Sequence, residues 1–285
     1  MTDPLPPLVS TDWLAARLER GGIRVLDTSW YLPAGGRDQL AEYAAGHIPG
    51  ALFFDLDAAS DRTSPLPHML PSGRDFAGRM AAMGLDDADD IVVYDGSGVN
   101  LSAARAWWMF RAFGHERVAV LDGGFLKWRD EGRPLETGVT GLPRGRFTAR
   151  LGAARVRDLA SVREALASGS EQVVDMRSAG RFTGAEPEPR PGLRGGHMPG
   201  SLNLPVQQLV ASDGTVLQPA ELRRRIEAAG IDLERPVIAS CGTATSACAL
   251  IHVLHLLGYE RAALYDGSWT EWGGRTDTPV VTGPA

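Results

Sequence analysis

A chain of 285 residues exceeds one average domain. Apolar residues at 44% and charged residues at 22% give the balance of a globular protein able to bury a sizeable core, which excludes intrinsic disorder. Thirty-five acidic against 29 basic residues leave a net charge of −6, so no overall positive field recruits nucleic acid, and a small anionic ligand needs locally placed arginines.

In chain order, the first residues carry neither the basic and apolar regions of a signal peptide nor an Arg-rich, acid-poor transit pattern. No apolar run approaches the roughly 20 residues of a membrane span. A cytoplasmic protein with no membrane partner is the expectation. Ser10 is placed to cap a helix holding Trp13, Leu14 and Leu18 that stops at Gly21, and an apolar strand over 24–27 follows. Further on come a strand at 91–94, a helix at 102–113 and a strand at 118–121. Gly, Pro and Arg mark the stretch near 137–150 as a connection, which sets the division into domains at 8–138 and 153–285 with a linker at 139–152. Asp158 then caps a helix through Leu159, Val162 and Leu166 to Gly169. Strands at 172–175 and 237–240, a helix at 247–257 and a strand at 262–265 complete the series. Strands alternating with helices imply an α/β fold, with parallel sheets covered by helices on both faces.

The two halves repeat each other. GHIPGA at 46–51 returns as GHMPGS at 196–201, VLDTS around Asp27 as VVDMRS around Asp175, IVVYDG as VIASCG, and LDGGFLKW as YDGSWTEW. Four matches in one order, each about 150 residues apart, make the chain a tandem duplication. His47 and His197 belong to the repeated turns and read as structural.

Cys241 and Cys248 are the only cysteines, too few for a disulfide framework and without companions at zinc spacing. Cys241 stands between a buried strand and a helix, in a loop of small residues ending at Ser246. Backbone N–H groups and the helix dipole converge in such a loop and stabilise a thiolate. The loop by itself reads equally well as the site of a small buried cysteine. Cys248, seven positions on, falls inside the apolar helix and reads as core. A cysteine phosphatase needs an arginine six residues after its nucleophile, and Ala247 stands there. His252 and His255 lie three apart on one helix face but lack further converging ligands, so no metal and no cofactor are expected.

With SWYLP, GHIPGA, FFDLDAASDRTSPLPHMLP, GRFTGAEPEPR, GHMPG and the Cys241 loop together, the chain resembles the tandem-domain rhodanese and 3-mercaptopyruvate sulfurtransferase family over nearly its whole length. The resemblance implies two rhodanese-like domains, the second catalytic and the first a degenerate partner, with Asp95 where the duplication puts a cysteine. It implies that Cys241 takes sulfur from a small anionic donor as a persulfide. The acceptor is then a thiol such as thioredoxin or a low-molecular-weight thiol, or cyanide. Gly242 and Thr243 match the neutral loop of mercaptopyruvate-preferring members, whereas thiosulfate-preferring members carry adjacent Arg and Lys. The loop departs from the family where Ala244, Thr245 and Ser246 replace Gly-Val-Thr, and alanine takes positive φ less freely than glycine. Arg181 and Arg190 match the donor-binding arginines. Asp57 and His68 match residues proposed in the family to form a proton-handling triad with the loop hydroxyl, here Thr243; His68 reads equally as a satisfied interface histidine. Trp30 and Tyr31 match an aromatic segment near the site and read equally as core aromatics. Thiosulfate transfer and a non-catalytic sulfur-carrying or docking module are the alternatives, the paired arginines standing against the second.

Overall fold

Buried apolar runs become strands wherever both faces of a parallel sheet are covered. The computed structural model describes residues 5–32 and 35–284; Pro33 of the SWYLP segment and the first four residues lie outside them. The chain divides into two units. Unit 1 takes the described residues up to Thr63, then Leu70–Gly152 and Ser212–Val216, and unit 2 takes Ser64–Met69, Ala153–Ala211 and the chain from Leu217 onward.

In unit 1, β1 (Leu8–Val9), β2 (Arg24–Asp27), β3 (Leu52–Phe53), β4 (Ile91–Tyr94) and β5 (Val118–Leu121) form one sheet in the order β1-β5-β4-β2-β3. Every pairing is parallel. Helix α1 (Thr11–Arg20) starts at Ser10, whose hydroxyl accepts from the Trp13 amide at 3.1 Å. It packs with α2 (Gln39–Ala45) and α5 (Gly124–Asp130) over Val25, Val92 and Tyr94, burying Leu14, Tyr43 and Trp128. Because strand side chains alternate, Ile91 and Val93 turn to the other face. Helix α4 (Leu101–Ala112) packs on β4 and β5, and Phe110 and Phe113 meet Phe76 of α3 (Gly73–Ala82). The segment 139–152 runs along this unit: Phe147 is buried beside Phe76 and Phe110, and Gly145 and Arg150 donate to the carbonyls of Ala81 and Phe113.

Unit 2 repeats the plan with β6 (Val156–Arg157), β7 (Gln172–Asp175), β8 (Leu202–Asn203), β9 (Val237–Ser240) and β10 (Ala262–Tyr265) in the order β6-β10-β9-β7-β8, again all parallel. Asp158 caps α6 (Leu159–Ser168) through the Ser161 amide at 2.9 Å. Val162 and Ala165 of α6 pack with Val173, Ile238 and Tyr265, and with Trp269 and Trp272 of α10 (Ser268–Trp272). The short α7 (Ala179–Thr183) follows β7, α8 (Pro219–Ala228) precedes β9, and α9 (Ala247–Leu256) packs on β9 and β10. The chain leaves β7 toward β8 and β9 toward β10, on opposite sides. The crevice beyond the carboxyl ends of β7 and β9 is therefore the switch point where sheets of this kind bind ligands.

Candidate active site

Cys241 directly follows β9 at that switch point and is buried. Its amide donates to Ser268 Oγ at 3.2 Å, while its carbonyl and that of Gly242 accept from the Trp269 and Thr270 amides. The residue is thus pinned on both sides by the start of α10. The next amides are treated differently. The backbone N–H groups of residues 242–246 donate to no acceptor among the described residues. Buried amides normally find partners, so a run of uncommitted donors beside a cysteine is a ready cradle for negative charge.

Within the loop, Thr243 Oγ1 lies 3.2 Å from His68 Nδ1 and 3.3 Å from Thr245 Oγ1, and Thr245 Oγ1 lies 3.3 Å from the same nitrogen. Two threonine hydroxyls therefore share one imidazole, all three groups buried. His68 is itself at φ 61, a left-handed conformation that costs a non-glycine residue energy and that clusters at functional positions. Ala244 adopts φ 62, the conformation alanine was expected to resist, and its carbonyl accepts from Cys248 Sγ at 3.2 Å. Cys248 thereby serves the loop as a buried donor on α9. Ser246 stands at the start of α9 without a side-chain cap bond.

The β7 loop supplies charge. Asp175 is in register with Ser240, which brings the chain after β7 alongside Cys241. Asp175 holds Arg177 through contacts as short as 2.6 Å, and α7 then presents Arg181. An arginine nitrogen, Arg181 Nη2, lies 3.1 Å from the position a Cβ on Gly242 would occupy. The guanidinium thus rests against the residue after the cysteine. Arg190 is half-buried farther along the loop that follows α7.

The other expected residues have contacts of their own. Asp57 belongs to unit 1, where its carboxylate accepts from Trp30 Nε1 at 3.0 Å. Tyr31 lies under the Arg37 guanidinium at 3.5 Å, and burial pushes its hydroxyl up to about 12. His47 and His197 stack on Tyr43 and Phe182 and bond their carbonyls, the same turn built twice. His255 meets Glu260, and among the described residues no cluster suited to a metal ion occurs.

Unit 1 shows what the repeat does with a carboxylate in place of the thiol. Asp95 is buried, and its oxygens accept from the Ser97 and Ala103 amides and from Ser102 Oγ. The side chain fills its own loop. Phe125 donates to the Asp95 carbonyl as Trp269 does to that of Cys241. Gly124 at φ 58 leaves no room for a Cβ, which would meet the Asp95 carbonyl oxygen at 2.6 Å; its counterpart Ser268 keeps φ 47 and uses its hydroxyl to hold the Cys241 amide. Asp27, the counterpart of Asp175, has Ser29 where unit 2 has Arg177, and burial pushes its carboxyl up.

Sequence reasoning missed Asp175, Arg177, Glu188 and Ser268. Glu188 lies inside the EPEPR run and Ser268 inside the repeated DGSW, so both were within view, but neither residue type announces a partner.

A family profile described as Rhodanese-like domain matches residues 10–131 and 158–275. The Arabidopsis thaliana protein named thiosulfate/3-mercaptopyruvate sulfurtransferase 1, mitochondrial, is 43% identical over 295 residues, spanning 96% of this chain and 78% of its own. The 3-mercaptopyruvate sulfurtransferase of Rattus norvegicus is 43% identical over 270 residues, 93% of this chain and 91% of its own. The crystal structure of SseA from Escherichia coli, described as a 3-mercaptopyruvate sulfotransferase of rhodanese fold, superposes with a TM-score of 0.85 at 39% identity, covering 92% of this chain and 98% of that one.

Proposed function

The chain belongs to the rhodanese family, whose domain it carries twice, and on that premise we propose that it is a 3-mercaptopyruvate sulfurtransferase with Cys241 as the sulfur carrier. One observation carries the reading: the Arg181 guanidinium rests against Gly242, beside the cysteine. A planar cation there fits a small 2-oxo acid. A bare sulfur-carrying or docking module has no use for it.

The reaction has two steps. The Cys241 thiolate attacks the sulfur of 3-mercaptopyruvate, the carbon–sulfur bond breaks, and its electron pair leaves on carbon as the enolate of pyruvate. Protonation at that carbon releases pyruvate, and Cys241 keeps the outer sulfur as a persulfide. A thiolate then attacks the outer sulfur and takes it as its own persulfide, restoring Cys241; cyanide gives thiocyanate instead. Arg181 and Arg190 hold the donor's carboxylate and carbonyl. The loop of Gly242, Ala244, Thr245 and Ser246 offers its amides to the charge on sulfur. His68, oriented by Thr243, supplies the proton to the enolate. By resemblance, Asp57 is the third member of that group.

Thiosulfate is the competing donor, and the uncharged Gly242 and Thr243 favour mercaptopyruvate over that dianion. The domain limits 8–138 and 153–285, with 139–152 connecting them, belong to the same proposal. So do thioredoxin or a low-molecular-weight thiol as acceptor and a cytoplasmic location; two cysteines free of any disulfide suit a reducing compartment. A steady-state comparison of the two donors tests the reading. Pyruvate release from 3-mercaptopyruvate should exceed thiosulfate turnover in kcat/KM, and the reverse order would replace it with thiosulfate transfer.

A further inference from the structure

Two arginines of unit 2 share one carboxylate. Glu188 Oε1 accepts from Arg177 Nη1 at 2.7 Å and from Arg181 Nε at 3.3 Å, and its Oε2 accepts from Arg181 Nη2 at 2.5 Å. The Glu188 side chain is 1% exposed. A carboxylate so buried persists only when paired and hydrogen-bonded, and here both oxygens are used.

The two arginines differ in what remains to them. Arg177 is fully buried, with all three guanidinium nitrogens held by Asp175, Glu188 and the Gly196 carbonyl and its guanidinium 4.1 Å from the Trp269 ring centre. Arg181 stays 24% exposed, and Glu188 is the sole partner of its side chain among the described residues. Glu188 grips the Nε–Nη2 edge of the fork. The Nη1 end is left over, and Nη2 marks how near the fork stands to Gly242. Arg177, anchored by Asp175 at the end of β7, fixes Glu188 in turn, so the chain of contacts runs from the sheet to the donor-binding cation.

We propose that Glu188 is a positioning residue that aims the free edge of Arg181 at the donor's carboxylate and, by sharing that arginine's charge, favours a monoanionic donor over a dianionic one. The inference rests on the reading of Arg181 as a donor-binding group. Formal charges on Asp175, Arg177, Glu188 and Arg181 cancel, so the cluster offers geometry and hydrogen bonds with little net field. Removing the Glu188 charge leaves one uncompensated cation beside the loop. A dianion such as thiosulfate gains about twice as much from that cation as a monoanion does.

The test compares Glu188→Gln with the wild type on 3-mercaptopyruvate and thiosulfate, alone and in an Arg181→Gln background. Glu188→Gln should raise KM for 3-mercaptopyruvate about tenfold with a smaller change in kcat, and raise the thiosulfate to mercaptopyruvate ratio of kcat/KM at least about fivefold. Both effects should vanish once Arg181 is gone, because Glu188 acts through it. An unchanged ratio, or the same shift in the Arg181→Gln background, overturns the proposal. Should Glu188→Gln not fold, Glu188→Asp decides. It keeps the charge but retracts the carboxylate, so KM for mercaptopyruvate should rise about fivefold at an unchanged donor ratio, and an unchanged KM overturns the proposal. A wild-type enzyme inactive on 3-mercaptopyruvate would instead refute the proposed function, an outcome visible before any variant is made.

Discussion

His68 Nδ1 lies 3.2 Å from Thr243 Oγ1, although 175 positions separate the two residues. The contact exists because Ser64–Met69, from the first repeat, is part of unit 2. A buried imidazole at φ 61, touching two hydroxyls of the cysteine loop, is held in a costly conformation by its surroundings.

If His68 protonates the leaving enolate, His68→Ala should lower kcat for pyruvate release by about a hundredfold or more. Transfer of sulfur from a preloaded persulfide to a thiol needs no such proton and should stay within about threefold of wild type. Single-turnover measurements of the two half-reactions separate these outcomes. Equal losses in both would assign His68 to holding the loop.

The backbone at Ala244 carries its own test. Replacing it by glycine relieves about 1 to 2 kcal/mol of left-handed strain. Against this stand about 0.4 to 1 kcal/mol of unfolded-state entropy and about 0.8 kcal/mol for a lost buried methyl. Ala244→Gly should therefore leave stability within about 1 kcal/mol of wild type, whereas Ala244→Val, branched and buried at φ 62, should cost more than about 2 kcal/mol. Denaturant unfolding of the pair checks both figures, and a harmless valine would mean that the loop is not held at this angle.

The neutral loop makes a prediction about donor choice that the structure sharpens. Cations beside the thiolate should help a dianion, so Gly242→Arg with Thr243→Lys should raise the thiosulfate to mercaptopyruvate ratio of kcat/KM about tenfold. A side chain at 242 must also displace Arg181, whose Nη2 lies 3.1 Å from where its Cβ would stand. Absolute rates on mercaptopyruvate should fall for that second reason. Gly242→Ala isolates it, with a raised KM for mercaptopyruvate and no gain on thiosulfate. A double variant whose ratio stays put would show that the loop does not set the preference.

Much of the frame was legible in the residues. The six central strands were placed at their observed limits, because a strand buried on both faces leaves a continuous apolar run with sharp ends. Ser10 and Asp158 announced their helices for an equally local reason. Helices α2, α3, α5, α7, α8 and α10 were not read, nor were the two-residue edge strands β1, β3, β6 and β8, which are too short to show a period. Cys241, Arg181 and His68 were within reach by resemblance. Glu188 was not, since a glutamate in a Pro-Glu-Pro run looks like solvated surface until the fold turns it onto two arginines. The assignment of Ser64–Met69 to unit 2 is a tertiary fact with no local signature.

Labelling of the cysteines tests the central claim most directly. Cys241 occupies the loop of uncommitted amides beside Arg181, while Cys248 is fully buried on α9 and already bonded to the Ala244 carbonyl. After brief treatment with 3-mercaptopyruvate and removal of excess donor, intact-mass measurement should show the wild type and Cys248→Ser each heavier by one sulfur atom, and Cys241→Ser unchanged. Pyruvate should appear in equal amount to the bound sulfur. Equal labelling of the two variants, or sulfur retained on Cys241→Ser, would contradict the assignment of Cys241 as the sulfur carrier.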